Sequence, residues 1–257
     1  MANFFSRILA DKNQRTPVNR PGHIREAELP AGDPAAPILS CSDLEYRADS
    51  LTIVQGLNLQ IECCERVALT GPSGSGKSTI LRLLANLITP TKGSVYFQGT
   101  ELSKIPPVLY RREVSYFFQT ARLFGRTVRD NLAFPYEIRH LDFDEARALK
   151  LLERCGIAAD SLNQPIGSLS GGERQRVALV RNLQFTPKVL LLDEITSALD
   201  QENREIIWQF LNELTIENNL TLLMVSHQEA DIELADRVIE VCPPPGKGSI
   251  KNNGAVT

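Results

Sequence analysis

Apolar and polar residues alternate along "LNLQIE", Leu57 to Glu62, which puts Leu57, Leu59 and Ile61 on one side. That period of two predicts a half-buried strand. The pattern then changes. "RVALTG" is a short apolar run entering a glycine-rich stretch, which predicts a buried strand ending in a loop, and "KSTILRLLANLI", 77–88, predicts the helix that follows. "FDEARALKLLERCGI" has helical spacing, with Asp142 and Glu145 placed three apart as in a capping box and Gly156 suited to a C-terminal cap. "KVLLLDE" has the length and continuous apolar character of a central parallel strand. "REIIWQFLNEL" sets Ile206, Ile207, Phe210, Leu211 and Leu214 on one helical face, with Trp208 beside them in a packing role, and "TLLMVSH" predicts another buried strand. Strands alternating with helices predict an α/β fold whose mostly parallel sheet is covered on both faces. No internal repeat interrupts this series.

The flanks read differently. Residues 1–37 carry Pro17, Pro21, Pro30, Pro34 and Pro37 without sustained periodicity and are expected to be a flexible extension. Within it, Phe4, Phe5, Ile8 and Leu9 are spaced for one short apolar helical turn. Residues 38–242 are expected to form one domain, and 243–257 a disordered tail. The chain of 257 residues is 42% hydrophobic and 23% charged, ordinary values for a globular domain that buries a full core. Its net charge of −3 argues against a nucleic-acid partner, which a basic stripe would mark. No apolar run approaches the roughly 18 residues a membrane span needs. "MANFFSRILADKNQR" is a poor signal peptide, having no basic residue before its apolar part and Arg7 within it. Cys41, Cys63, Cys64, Cys155 and Cys242 form no C-x-x-C pair, so neither zinc nor a disulfide framework is implied. They read as buried or half-buried free thiols of a protein in the reducing cytoplasm.

The chemistry lies in three stretches. "GPSGSGKST" (Gly71, Pro72, Ser73, Gly74, Ser75, Gly76, Lys77, Ser78, Thr79) fits G-x-x-x-x-G-K-[ST] in full. Its glycines let backbone N–H groups curl around phosphate oxygens at a helix N-terminus, where the helix dipole also favours negative charge. Lys77 is expected to reach the β- and γ-phosphates and Ser78 to ligate Mg²⁺. "LLLDEITSALD" ends an apolar run in two carboxylates. Beside such a loop, Asp193 is expected to hold Mg²⁺, usually through water, and Glu194 to act as general base on the attacking water. A kinase or a GTPase would also suit these two stretches. "LSGGERQR", 169–176, discriminates: Ser170, Gly171 and Gly172 at a helix start form a second anion-binding surface, which suggests a site completed by another copy of the chain.

In order and spacing these stretches resemble the nucleotide-binding subunits of ABC transporters over roughly residues 38–241. The resemblance implies an α/β P-loop NTPase with a mostly parallel core sheet, an N-terminal antiparallel β-subdomain and an inserted helical subdomain at about 120–180. It makes ATP and Mg²⁺ the expected ligands. It also implies that Gln119 in "YFFQT" couples the Mg²⁺ site to the helical subdomain, that His227 in "MVSH" senses the γ-phosphate, and that Tyr46 stacks on adenine. Asp200 in "SALD" joins the nucleotide site, while Glu173 and Arg174 read as solvated faces. The implied partners are a second copy, bound head-to-tail on ATP binding, and an integral membrane permease, through which alone the chain meets the membrane. Part of the apolar set Leu123, Phe124 and Phe134 would then pack within the helical subdomain and part would receive a permease helix.

Two residues depart from the family pattern. Ile195 stands where many members have proline, and Cys64 where a hairpin glycine is usual; neither removes a reactive group. Ile195, "ARLFGRTVRDNLAFPYEIR" and "RNLQFTPKVLLLDEITSALD" resemble the FetA/YbbL-type subunits, proposed iron exporters that work with a separate membrane protein. Metal export is therefore the expectation, and an importer ATPase for phosphate or amino acids the alternative. A soluble ABC ATPase acting on DNA or ribosomes fits less well, because the chain has one cassette, no zinc spacing and mild acidity.

Overall fold

The computed structural model describes residues 29–49, 51–197 and 199–244, so the apolar turn expected near Phe4–Leu9 and the tail from 245 lie outside the described residues. Two sheets organise these residues. The antiparallel one consists of β1 (Leu39–Ala48), β2 (Leu51–Ile61), β4 (Lys92–Phe97) and β5 (Thr100–Glu101), in the order β2-β1-β4-β5. On β2, Leu57, Leu59 and Ile61 are buried while Asn58 and Gln60 face solvent, the alternation of a one-sided sheet. The parallel one runs β6 (Val114–Phe117), β7 (Val189–Asp193), β8 (Thr221–Val225), β3 (Arg66–Thr70) and β9 (Arg237–Glu240), in that spatial order.

Every residue of β7 and β8 is buried, and the pleat sorts them between two cores. Val189, Leu191, Leu223 and Val225 join the core shared with the antiparallel sheet and with α1 (Lys77–Leu84). Leu190, Leu192, Leu222 and Met224 join the opposite core, shared with α4 (Glu145–Arg154), α5 (Gly171–Asn182) and α6 (Gln201–Asn218). An unbroken apolar strand therefore needs partners on both faces, and the helices supply the second one. On α6, Ile207, Phe210, Leu211 and Leu214 are buried and Ile206 is half-buried. Two shorter helices, α2 (Pro107–Glu113) and α7 (Glu229–Ile232), and α3 (Val128–Glu137) complete the set. Within 120–182, α3, α4 and α5 pack through Leu132, Leu151, Leu152 and Val177. Phe124 meets Phe134 edge-on at 4.8 Å, under the Arg181 guanidinium, and Leu123 packs on the same core.

Several local expectations are corrected. Helix α1 stops at Leu84 instead of reaching 88, because Asn86 turns left-handed (φ +54°) and the Leu87 amide donates to the Arg82 carbonyl, closing a Schellman-type end. The N-cap of α4 is Asp144, not Asp142: its carboxylate accepts the Arg147 amide at 2.9 Å, the reach a cap needs to the third helical amide. Gly156 does end α4, at φ +65°. Trp208 packs half-buried, and its indole N–H also donates to Asp231 Oδ1 at 2.6 Å. Burial holds for Cys41 and Cys155, whose thiols it pushes up to about 12, and Cys242 is half-buried. It fails for Cys63 and Cys64, which are exposed on the β2–β3 turn. A turn tip presents its side chains to solvent whatever their polarity.

Candidate functional site

The parallel topology brings the C-terminal ends of β6, β7, β8 and β3 to one edge of the sheet, the place where open α/β sheets bind ligands. From β3 the chain enters the loop Gly71–Gly76. A Cβ at Gly71 (φ +128°) would lie 2.1 Å from the Val241 carbonyl oxygen, and one at Gly76 (φ +99°) 2.9 Å from the Ile53 carbonyl oxygen. The loop is thus clamped between β2 and the end of β9, and glycine is required at both positions on steric and conformational grounds. Lys77, only 5% exposed, donates through Nζ to the Gly71 and Pro72 carbonyls at 2.8 and 3.0 Å. Two of its three donors are so held and one remains for a ligand. Burial pushes its pKa down, while the charges of Glu194 and Asp193 oppose that shift. Ser75 Oγ is buried with no hydrogen-bond partner, so a polar ligand in the loop has a group to satisfy.

β7 delivers the two acids. Asp193 accepts the Ser78 hydroxyl on Oδ1 at 2.8 Å and the Tyr116 hydroxyl on Oδ2 at 2.5 Å. Burial first, then the bond to Asp193, raises the Tyr116 pKa, and Tyr116 in turn raises that of Arg82. Glu194 turns left-handed (φ +51°), an uncommon state for a residue with a Cβ, and its amide donates to the Val225 carbonyl. This turn aims the carboxylate across the sheet edge. Its Oε2 accepts Gln119 Nε2 at 2.8 Å, from the segment after β6, and His227 Nε2, after β8, lies 3.5 Å from Oε1. Beside them a cavity of about 510 Å³ is lined by Ser78, Arg82, Tyr116, Gln119, Arg181 and Asp193. Among the described residues no three His, Cys, Asp or Glu side chains cluster as a metal cage. The Ser78–Asp193 pair instead suits a hard cation that keeps most of its ligands from water and phosphate, as Mg²⁺ does.

The other expected site residues sit apart. No hydrogen bond among the described residues joins Tyr46, Ser170, Gly171, Gly172 or Asp200 to the Lys77–Glu194 set. Tyr46 is half-buried on β1, opposite Val54 and against the first core. Ser170 is the N-cap of α5 in a full capping box: its hydroxyl accepts the Glu173 amide at 3.2 Å and its amide donates to Glu173 Oε2 at 2.7 Å. Glu173 is therefore more than a solvated face, and the bond from the Ser170 amide holds its carboxyl below the usual range. Arg174 is exposed, as expected. Asp200 caps α6 and is engaged by the Asn203 amide and side chain; a Cβ on Gly172 would lie 2.7 Å from Asn203.

Some groups at this edge carry no sequence motif. Tyr116 is one. Another is Gln175, buried on α5, whose Oε1 accepts the Ala121 amide and whose Nε2 donates to the Ile195 carbonyl, so one side chain ties α5 to the segments after Gln119 and after Glu194. Its signal was a polar residue on the apolar side of a helix.

Residues 54–197 match the family described as ABC transporter. The chain belongs to that family. It is 44% identical over 212 residues to the probable iron export ATP-binding protein FetA of Escherichia coli K12, across 82% of this chain and 94% of that one. It is 37% identical to the lipoprotein-releasing system ATP-binding protein LolD of Pseudomonas syringae, across 79% and 94%. Its fold matches a dimeric post-hydrolysis ATP-binding cassette bound to ADP and Pi, with a TM-score of 0.71, 28% identity and coverage of 79% and 94%. The protein is thus a FetA-like ABC ATPase, an ATP-hydrolysing transporter subunit with the P-loop NTPase fold, and no helix among its described residues is long and apolar enough to cross a membrane.

Proposed function

We propose that Glu194 is the general base of ATP hydrolysis, and the observation carrying this is the convergence of Gln119 and His227 on its carboxylate from the two strands flanking β7. In this reading Glu194 takes a proton from the attacking water, His227 meets the γ-phosphate, and Lys77 releases a loop carbonyl to meet β- and γ-phosphate oxygens. Ser78, Asp193 and Gln119 hold Mg²⁺, which when bound neutralises developing phosphate charge. Tyr46 stacks on adenine. Ser170, Gly171 and Gly172, with Asp200, close the site of a second copy, so two chains bind two ATP head-to-tail and reopen after hydrolysis. An integral membrane permease, docked on the helical subdomain, converts that closure into transport and is the chain's only tie to the membrane, on its cytoplasmic face. The cargo we propose is iron, moved outward, on the strength of the 44% identity to the FetA protein over nearly its whole length.

Glu194→Gln should bind ATP, accumulate as a dimer and lose turnover by about 10²- to 10⁴-fold. Wild-type turnover in that variant removes the general-base assignment. Deleting the subunit should raise total cell iron and peroxide sensitivity under iron loading, and wild-type but not Glu194→Gln protein should restore both. Unchanged iron alongside impaired uptake of phosphate or an amino acid refutes export and leaves the ATPase reading standing.

A further inference from the structure

Asp231 is completely buried, and its carboxylate faces three neutral donors and forms no ion pair among the described residues. Oδ2 accepts the Thr196 hydroxyl at 2.5 Å and the Ser226 hydroxyl at 2.8 Å, and Oδ1 accepts the Trp208 indole N–H at 2.6 Å. A carboxylate is costly to bury, and a carboxylate can accept from three donors at once where an amide or hydroxyl in its place would have to donate to some of them. The two donors on Oδ2 are not arbitrary. Thr196 lies two residues after Glu194, and Ser226 immediately precedes His227. A single oxygen therefore joins the segments whose tips, Glu194 Oε1 and His227 Nε2, stand 3.5 Å apart.

The rest of the geometry points the same way. Glu194 keeps a left-handed backbone that persists only where its surroundings over-determine it. The Val225 carbonyl holds its amide, and the Ser197 amide and hydroxyl donate to its carbonyl, so the turn is pinned at Glu194 itself. Asp231 pins the same turn one step further on. Trp208, projecting from α6, fixes Asp231 from the other side, so the clamp rests on a long, well-packed helix. The Ser226 hydroxyl also accepts the Gln228 amide at 3.1 Å, which orders the His227 segment on both sides of the histidine.

We infer that Asp231 is a positioning residue for ATP hydrolysis, a buried acceptor that sets the spacing of Glu194 and His227 by holding Thr196 and Ser226 together. The inference rests on the general-base reading of Glu194. Asp231 has no bond to the Gly71–Thr79 loop, so its loss should change turnover and leave ATP binding alone. In steady-state ATPase assays of the full chain, Asp231→Ala should lower kcat at least ten-fold with KM for ATP within two-fold of wild type. In the Glu194→Gln background the same change should lower the residual rate by less than two-fold, because groups acting as a unit are non-additive. Thr196→Val, which removes one arm of the clamp at nearly constant volume, should show the same kcat-only loss and carries the test if the alanine variant does not fold. The inference is overturned by wild-type kcat in Thr196→Val, by kcat and ATP affinity falling together, or by an equal loss in both backgrounds. Wild-type turnover of Glu194→Gln alone would instead remove the reading on which it rests.

Discussion

The loop glycines permit a sharp test, because Gly71 and Gly74 differ in one physical respect. Both have positive φ, +128° and +76°, but a Cβ on Gly71 would meet the Val241 carbonyl oxygen at 2.1 Å, whereas a Cβ on Gly74 meets nothing within 4 Å. Gly74→Ala should therefore cost only the left-handed conformation, about 1 kcal/mol. Gly71→Ala should cost about 2 kcal/mol for a backbone region that only glycine favours. Relieving contact with a backbone oxygen that cannot swing away adds about 2 kcal/mol more. The difference between the variants, roughly 3 kcal/mol, is a large share of the roughly 5–15 kcal/mol that holds a domain folded. Urea unfolding without nucleotide measures it as a shift in midpoint at constant slope. Calorimetry should place Gly71→Ala about 6–12 °C below Gly74→Ala, at roughly 2–4 °C per kcal/mol for a chain of this size. Equal stability of the two would refute the claim that the exit of β9 clamps this loop.

Three further outcomes follow from individual side-chain contacts. Asp144→Ala should destabilise by about 1 kcal/mol while Asp142→Ala stays within about 0.5 kcal/mol, since only Asp144 caps α4; chemical denaturation of the pair reads this directly. Glu173 has its carboxyl held below the usual range, so its contribution is complete above its unfolded pKa of about 4.3 and fades as pH falls through the lower folded value. The melting-temperature gap between wild type and Glu173→Ala should accordingly be constant from pH 7 to about 5 and narrow below about 4; a gap independent of pH would contradict the capping geometry. Arg154 links α4 to Glu213 and Glu217 of α6 and lies over Phe210, so Arg154→Ala should cost about 1 kcal/mol, part of it absent in 1 M salt; urea midpoints at two salt concentrations test this.

The sequence alone carried whatever is local and contiguous. The Gly71–Thr79 loop was legible because its glycines, Lys77 and Ser78 stand side by side at the end of a strand, and that adjacency is itself the pattern. The strands β3, β7 and β8 were legible because burial on both faces leaves the unbroken apolar stretches Val67–Leu69, Val189–Leu192 and Leu222–Val225, and the cap at Gly156 because a left-handed end favours glycine. Where two residues competed for one local role, spacing was not enough: Asp142 and Asp144 both precede α4, and the backbone's entry angle chose between them. The exposed Cys63 and Cys64 likewise depended on where the turn pointed.

The clustering of these side chains is a matter of tertiary structure. Ser78 reaches Asp193 across 115 positions, Tyr116 reaches Asp193 across 77, and Gln119 reaches Glu194 across 75. Such distances close only because β6, β7, β8 and β3 lie side by side and parallel, ending at one edge. Strand order is fixed by which apolar faces bury one another, a sum over the whole chain that no window of periodicity contains. That order turns a glutamine, two acids and a histidine into one cluster, and it brings Asp231 to within hydrogen-bond reach of Thr196, Ser226 and Trp208, a meeting that no local pattern in the sequence marks.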